Sequence, residues 1–359
     1  MKIVFLSYLH GFGGAEKQNV MLANAMVESG HDVTLISISV DNNCYPLNKK
    51  IRYEYLPDKK INVLRIVTRY SDIKKKLKKL KPDITISFWF QSAYITALMQ
   101  KSITGKVIYS ERGDPGDKEY SGALGIVRAL TLPLIDGFVF QSKGAKSYFN
   151  KKVQLKSVVI PNPVWVRKED FPIIRERRKV IVTVGRLHAQ KNHKLLIDSF
   201  AKIADDFQDY NLEIYGDGEL REQLSKQIMN LGLSERIILK GTSKKIHSLI
   251  YDASLFVLTS DYEGLPNTLM EAMALGLPCI STDCRPGGAR ELINDGVDGI
   301  IVPCGNVNRL AEAMKKILAD SNHAQMLSEN AKTKMKKYSP SIIYDKWEDF
   351  FVNICNAKH

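Results

Sequence analysis

The sequence predicts an α/β protein built from two doubly wound parallel-sheet domains, and three observations predict it. The chain has 359 residues, beyond the roughly 250 to 300 at which a single hydrophobic core stops growing. Short runs of Val, Ile and Phe alternate with longer segments of helical period, the pattern of parallel strands covered on both faces by crossover helices. That alternation is interrupted by a polar, charged stretch from Arg167 to Lys179, the best candidate for an interdomain linker, and then resumes.

In the first half, strands are expected at Lys2 to Tyr8, Asp32 to Ser39, Asp83 to Phe88, Lys106 to Ser110, Gly137 to Gln141 and Ser157 to Ile160. Leu22, Ala23, Met26 and Val27 repeat at helical spacing between the first two. The second half offers strands at Val180 to Val184, Asn211 to Tyr215, Arg236 to Lys240, Leu255 to Thr259, Pro278 to Ser281 and Gly299 to Val302. Leu195, Leu196, Ser199, Phe200 and Ile203 share one helical face after the first of these. Near the end, Trp347, Phe350, Phe351 and Ile354 form a stripe that must pack onto a domain. Two such domains imply a cleft, and ligands are expected beyond the carboxyl ends of the strands.

Composition narrows the function. At 44% hydrophobic and 25% charged residues, the chain is neither disordered, collagen-like nor a disulfide scaffold. Lys plus Arg number 52 against 39 for Asp plus Glu, a net charge of +13, so its field draws in polyanions: nucleic acid, phosphorylated metabolites or anionic lipid. Five cysteines with no C-x-x-C pair suggest neither disulfides nor zinc, and a reducing cytosol fits best. The apolar run at Met1 to Tyr8 is too short for a signal peptide, and no run of 18 apolar residues occurs anywhere.

Three segments carry candidate chemistry. The first expected strand ends in His10-Gly11-Phe12-Gly13-Gly14-Ala15-Glu16-Lys17, which reads either as a tight strand-to-helix turn or as a glycine loop offering helix N–H groups to an anion. It is neither the G-x-G-x-x-G fingerprint nor a P-loop. In the second half, Gly185-Arg186-Leu187 leaves a strand and Lys191-Asn192 precedes the next helix. Arg and Lys there are either solvated or placed to stabilise a departing diphosphate. Third, Glu263 and Glu271 stand eight apart across Asp261-Tyr262-Glu263-Gly264-Leu265-Pro266-Asn267-Thr268-Leu269-Met270-Glu271. Both can face one ligand, with Glu271 in the first helical turn, or Thr268 and Glu271 form a capping box.

Taken together these residues resemble the family 4 retaining glycosyltransferases. Gly-Gly-Ala-Glu at 13–16, Val-Gly-Arg-Leu at 184–187 with Lys191-Asn192, Glu263 and Glu271 followed by Ala-Met-Ala-Leu-Gly-Leu-Pro, Pro161-Asn162-Pro163, and Gly287-Gly288 ahead of Glu291 occur in the family's order over nearly the whole chain. The resemblance implies two Rossmann-like domains facing a cleft, the GT-B fold: 1–165 as the acceptor domain, 166–340 as the donor domain, and a helix at 341–359 returning to the N-terminal domain. It implies transfer of a hexose or N-acetylhexosamine from a nucleotide sugar, usually a UDP-sugar. Arg186 and Lys191 match the pair that holds the diphosphate. Glu263 matches the carboxylate beside the donor sugar, with the backbone of Gly264 and Leu265 against sugar and phosphate. Glu271 matches the ligand of the ribose hydroxyls, and Gly216 lies in the loop near the base. Gly13 and Gly14 match the N-terminal loop that meets donor and acceptor.

One departure concerns the acceptor side. Many relatives carry a His where this chain has Ser110-Glu111-Arg112-Gly113-Asp114-Pro115. Arg112 cannot surrender a proton at neutral pH, so it would clamp a phosphate or hydroxyl, with Glu111 beside it and His10 as an alternative contact. In the family the departing phosphate oxygen can take the acceptor proton, so the absent His is tolerable. No Asp-x-Asp pair and no His/Cys/Asp cluster occur, and neither cofactor nor metal is expected.

The basic segment from Arg65 to Lys81, interleaved with Ile66, Ile73, Leu77 and Leu80, either lies on an anionic membrane or turns its apolar stripe to the core. Leu124 to Leu130 would add an interfacial face. A lipid-linked saccharide acceptor follows from the first reading, with the protein cytoplasmic and peripheral on the inner face of the membrane. Nucleic acid is disfavoured, since no zinc-finger spacing, RNA-recognition motif or basic-zipper region is present. The alternatives within the fold are an epimerase, phosphorylase or sugar-phosphate synthase, and a non-catalytic nucleotide-sugar-binding subunit.

Overall fold

The computed structural model of the protein describes residues 1–9, 11, 13–41, 45–57, 65–117, 120–166, 170–172, 174 and 176–357. The chain divides into two compact units, Met1–Asn162 with Ser341–His359, and Pro163–Pro340.

In the first unit the elements run β1 (Lys2–Leu9), α1 (Gly14–Glu28), β2 (Asp32–Asp41), β3 (Arg52–Leu56), α2 (Arg65–Leu80), β4 (Ile84–Ser87), α3 (Phe90–Met99), β5 (Lys106–Glu111), α4 (Gly122–Thr131), β6 (Gly137–Phe140), α5 (Lys143–Ser147), α6 (Lys151–Leu155) and β7 (Ser157–Val159). The strands form a seven-stranded parallel sheet in the order β3-β2-β1-β4-β5-β6-β7. Strand order reverses beside β1, placing its carboxyl end, and the glycine loop that follows, at the switch point where such sheets bind ligands. β1 alternates as period two demands: Ile3 and Phe5 join the core under α1, while Val4 and Leu6 join the core under α2 and α3. Both faces are therefore apolar, which is why the strand reads as one continuous hydrophobic run.

β3 was not legible in the sequence pattern. It is an edge strand, Arg-Tyr-Glu-Tyr-Leu, with no fully buried side chain, so neither alternation nor an apolar run marks it. The basic helix α2 turns Ile73 and Leu77 into the core, both fully buried; its apolar stripe is core, and the side chains of Arg65 and Ile66 lie outside the described residues.

The second unit runs β8 (Arg178–Val184), α7 (His193–Ala201), β9 (Asn211–Tyr215), α8 (Arg221–Asn230), β10 (Ile237–Gly241), α9 (Ile246–Ile250), β11 (Ala253–Leu258), α10 (Asn267–Ala274), β12 (Cys279–Thr282), α11 (Gly288–Leu292), β13 (Ile300–Val302), α12 (Val307–Ala319) and α13 (Ser321–Met335). Its six-stranded parallel sheet has the order β10-β9-β8-β11-β12-β13. One face is covered by α7, α8 and α12 through Leu195, Leu196, Ile228, Leu310 and Met314. The other is covered by α10, α11 and α13 through Leu269, Met273, Leu292 and Met335. The switch point lies between β8 and β11, whose carboxyl ends carry the Arg186 and Glu263 loops. β8 reaches back to Arg178, into the polar stretch read as linker.

The terminal helix α14 (Pro340–Asn356) packs on the first unit. Trp347 stacks on Phe88 with ring centroids 6.2 Å apart, and the Glu348 carboxylate meets His31 Nε2 at 2.7 Å. Among the described residues no helix is long and apolar enough to cross a membrane.

Candidate functional site

The second unit brings Lys191 and Glu263 together. Past β8, Gly185 and Leu187 donate backbone N–H groups to the carbonyls of Tyr215 and Asp217, each at 2.9 Å. The two loops approach so closely that a Cβ on Gly216 would sit 1.9 Å from the Gly185 carbonyl oxygen, at a φ of +148°; only glycine fits there. A short 3₁₀ turn, Ala189–Lys191, then delivers Lys191, and Asn192, at a φ of 45°, caps α7 by accepting from the Leu195 N–H at 3.3 Å.

The Lys191 ammonium contacts the Glu263 carboxylate, with side-chain exposures of 18% and 11%. Ser260 Oγ donates to the same carboxylate oxygen at 2.8 Å. The 188–192 turn is tied to the loop after β11: Gln190 Nε2 donates to the Tyr262 carbonyl at 2.8 Å, the Asp261 N–H to the Gln190 carbonyl at 2.9 Å, and Thr259 Oγ1 to the Lys191 carbonyl at 2.9 Å. The pair is thus held by backbone-anchored neighbours rather than by its own flexible stems. Beside it Arg186 is exposed, and among the described residues its guanidinium has no carboxylate partner. A fixed, half-desolvated ammonium and an open guanidinium at one strand end suit a doubly charged anion.

Glu271 sits in the second turn of α10, since the helix starts at Asn267 with Pro266 at its N-cap. The capping box therefore does not form, because Thr268 lies inside the helix and no side chain caps it. Glu271 instead meets His247 Nε2 of α9 at 3.1 Å. Gly264 and Leu265 are buried, and the Gly264 carbonyl oxygen would lie 2.2 Å from a Cβ on Gly288, so a glycine at 288 lets the α11 backbone close on this loop.

His193 was not anticipated. It is 3% exposed, and its Nε2 lies 3.3 Å from the Arg186 carbonyl oxygen, the geometry of a neutral imidazole donating to the loop that carries Arg186. Burial pushes its pKa down from 6.5 to about 4. The unfolded chain therefore binds this proton first as pH falls. The stabilisation is complete above about 6.5 and is lost on descending towards 4, about 2 kcal/mol of it between pH 7 and pH 5. Chemical denaturation at those two pH values should show that loss, with a clearly smaller loss in His193→Gln; equal losses in both proteins would count against the assignment.

In the first unit, Gly13 is the N-cap of α1 in extended conformation and Gly14 its first residue, with no side-chain cap. Tyr45 Oη donates to the Gly13 carbonyl at 3.1 Å. His10 lies outside the described residues. Glu111 is 2% exposed and fully engaged. It accepts from Tyr109 Oη at 2.8 Å, the Gly113 N–H at 3.1 Å and Arg128 Nη2 at 3.1 Å. Burial and this carboxylate hold the Tyr109 phenol well above its ordinary pKa. Arg112 donates Nη1 to Asn162 Oδ1 at 2.8 Å and lies over the rings of Phe88 and Trp347, 4.5 and 5.4 Å from their centroids. It thereby clasps the residue after β4, the helix α14 and the last residue of the first unit's main segment. The structure does not gather Glu111 and Arg112 into an open clamp: one is turned into the core and the other is sandwiched. Among the described residues no group of three His, Cys, Asp or Glu side chains is placed to hold a metal.

Two doubly wound domains, with a lysine–glutamate pair, an arginine and a second glutamate at the carboxyl end of the second sheet, are the arrangement expected of a GT-B glycosyltransferase. The family model described as Glycosyltransferase Family 4 matches residues 12–167 and that described as Glycosyl transferases group 1 matches residues 167–334, and the chain belongs to this family of glycosyltransferases. It is 27% identical, over 99% of its length and 100% of the relative's, to the Campylobacter jejuni GalNAc-α-(1→4)-GalNAc-α-(1→3)-diNAcBac-PP-undecaprenol α-1,4-N-acetyl-D-galactosaminyltransferase. It is 24% identical, over 97% of its length and 98% of the relative's, to the amylovoran biosynthesis glycosyltransferase AmsD of Erwinia amylovora. Its fold is that of Anabaena HepE in complex with UDP, with a TM-score of 0.83 at 19% identity over 98% of this chain and 100% of that one.

Proposed function

We propose that this glycosyltransferase moves a hexose or N-acetylhexosamine from a UDP-sugar to a lipid-linked saccharide in bacterial surface-glycan assembly, with retention of configuration and without a metal ion. The observation that carries the reading is the fixed Lys191–Glu263 pair beside the open Arg186 guanidinium. Lys191 and Arg186 take the diphosphate, Glu263 faces the donor sugar with the Gly264 and Leu265 backbone, and Glu271 with His247 takes the ribose hydroxyls. The Gly216 loop lies towards the base, and the Gly13–Gly14 loop serves donor and acceptor. The acceptor hydroxyl oxygen bonds to the anomeric carbon as the bond from that carbon to the β-phosphate oxygen breaks. The hydroxyl proton passes to the departing oxygen, and the two cations stabilise the charge on the leaving UDP. The name of the Campylobacter relative, which specifies an undecaprenol-linked acceptor, and the UDP held by the Anabaena protein support donor and acceptor class. The site of work is then the cytoplasmic surface of a membrane.

Slow donor hydrolysis across a panel of UDP-, GDP- and ADP-sugars in excess EDTA tests this reading. Selective release of UDP that survives EDTA and falls in Glu263→Ala is expected. Release that requires a divalent ion, or that follows a GDP- or ADP-sugar, would contradict it, as would epimerised or phosphorolysed sugar.

A further inference from the structure

The helix α4 is built inside out. Its one charged residue, Arg128, is 6% exposed and points inward to Glu111, whereas the positions it exposes are only Gly, Ala, Ile and Leu. Ile126 is 64% exposed and Leu130 70% exposed. A helix of a water-soluble face carries its charges outward and its Ile and Leu inward; here folding alone accounts for Arg128 but not for the outer residues. Exposed apolar side chains also stand on the neighbouring elements. Leu134 follows in the adjoining 3₁₀ turn, Leu98 stands on α3, which packs against α4, and Leu155 on α6, which packs against that turn, is 85% exposed. An exposed helix face carrying only apolar side chains marks a contact with another phase or another molecule.

The rim says which. α6 contributes exposed Lys151 and Lys152 with no carboxylate, and exposed Lys156 is anchored at the edge by donating Nζ to the carbonyls of Pro133 and Ile135 at 3.3 and 3.2 Å. α2 lies on the same side of the sheet, sharing a core with α3 through Ile73, Leu77, Ile95 and Met99, and exposes Lys75, Lys78 and Lys79. An exposed apolar face with lysines on the neighbouring helices is complementary to a bilayer bearing anionic headgroups. A second copy of a chain with net charge +13 would bring like charges together around the same patch, and nucleic acid would leave the leucines unused.

We propose that the α4 face, with Ile126 and Leu130 at its centre and the α6 lysines at its rim, docks the N-terminal unit onto an anionic lipid bilayer. The apolar side chains enter the headgroup boundary while the lysines hold the headgroups. The basic helix α2 adds attraction at a distance but does not insert, because its apolar stripe is spent on the core. This deepens the lipid-linked reading above, yet vesicle binding involves neither donor nor acceptor, so either can fail without the other.

The test is flotation of the full chain with phosphatidylcholine vesicles, with and without phosphatidylglycerol, at low and high salt. Partition onto the anionic vesicles is expected, weakened by salt, and lowered about tenfold or more in Ile126→Ser/Leu130→Ser. Both sites are exposed, so the variant should melt like the parent. Neutralising Lys151, Lys152 and Lys156 to Gln should weaken binding to the anionic vesicles and leave the weak binding to neutral ones unchanged. Absence of flotation with either vesicle would overturn the proposal. So would binding that ignores the Ile126/Leu130 change but disappears when Lys75, Lys78 and Lys79 are made Gln. Light scattering that shows an oligomer dissolved by Ile126→Ser/Leu130→Ser would assign the patch to a second copy instead.

Discussion

Replacing Lys191 with alanine is expected to lower kcat/KM on the order of ~30- to ~1000-fold, a loss of roughly 2 to 4 kcal/mol of transition-state stabilisation. Lys191 is not one more surface cation. Its carbonyl is bonded by Thr259 and its ammonium lies on the Glu263 carboxylate oxygen to which Ser260 also donates. A cation fixed before the substrate arrives pays little reorganisation when the leaving diphosphate develops charge, which is where catalytic electrostatics exceed those of water. Alanine also leaves Glu263, 11% exposed in its side chain, without its counter-charge, so Lys191→Ala and Glu263→Ala should be strongly non-additive when combined. Arg186→Ala should lose activity in the same range while leaving stability unchanged, since Arg186 is exposed. Steady-state kinetics on the three variants and the double variant would check this. Turnover near the parent's in both Lys191→Ala and Arg186→Ala would remove the diphosphate role.

The second large effect lies in the other unit and concerns stability. Arg128→Leu is expected to cost about 3 to 5 kcal/mol, the usual result of removing one partner of a buried ion pair. Arg128 and Glu111 are 8% and 2% exposed in their side chains and 3.1 Å apart. Arg128 also donates to the Pro115 carbonyl at 2.7 Å and lies over the Tyr120 and Phe149 rings at 4.1 and 4.9 Å. Leucine would leave a buried carboxylate without its counter-charge, with only the Tyr109 hydroxyl and the Gly113 N–H donating to it. A Glu111→Gln/Arg128→Leu pair should recover part of the loss, because no charge is then stranded. Urea denaturation followed by a probe in the first unit would measure it. A loss below about 1 kcal/mol would show that water reaches the pair. Acceptor kinetics on the same variants bear on Glu111 as an acceptor-side residue: a change confined to acceptor KM, with stability intact, would support that role.

The sheets were legible because parallel strands covered on both faces must be continuous apolar runs, and each strand expected from such a run is present, usually within two residues of its expected ends. β3 escaped because an edge strand carrying Arg52 and Glu54 has no buried face to announce it. Arg186, Lys191 and Glu263 were legible as strand-end residues beside glycines. Ser260, His193 and His247 were not, since a hydroxyl or imidazole becomes a partner only when the fold sets its distance. The Thr268 cap failed for a local reason: Pro266 takes the N-cap position and starts the helix two residues earlier than the Thr–Glu spacing suggests. Helical periodicity told which residues share a face but not where that face points. It could therefore not say that α2 turns its apolar stripe inward or that α4 turns Ile126 and Leu130 outward.

The central claim, that the Arg186–Lys191 end of the second sheet recognises a nucleoside diphosphate, is tested most directly by titrating UDP and uridine into the protein in EDTA by calorimetry. UDP should bind about a hundredfold more tightly than uridine, a difference of roughly 2.7 kcal/mol for two charge-assisted contacts, and Lys191→Ala should erase most of that preference while leaving uridine binding unchanged. Equal affinity for UDP and uridine, or a preference untouched by Lys191→Ala, would contradict the account.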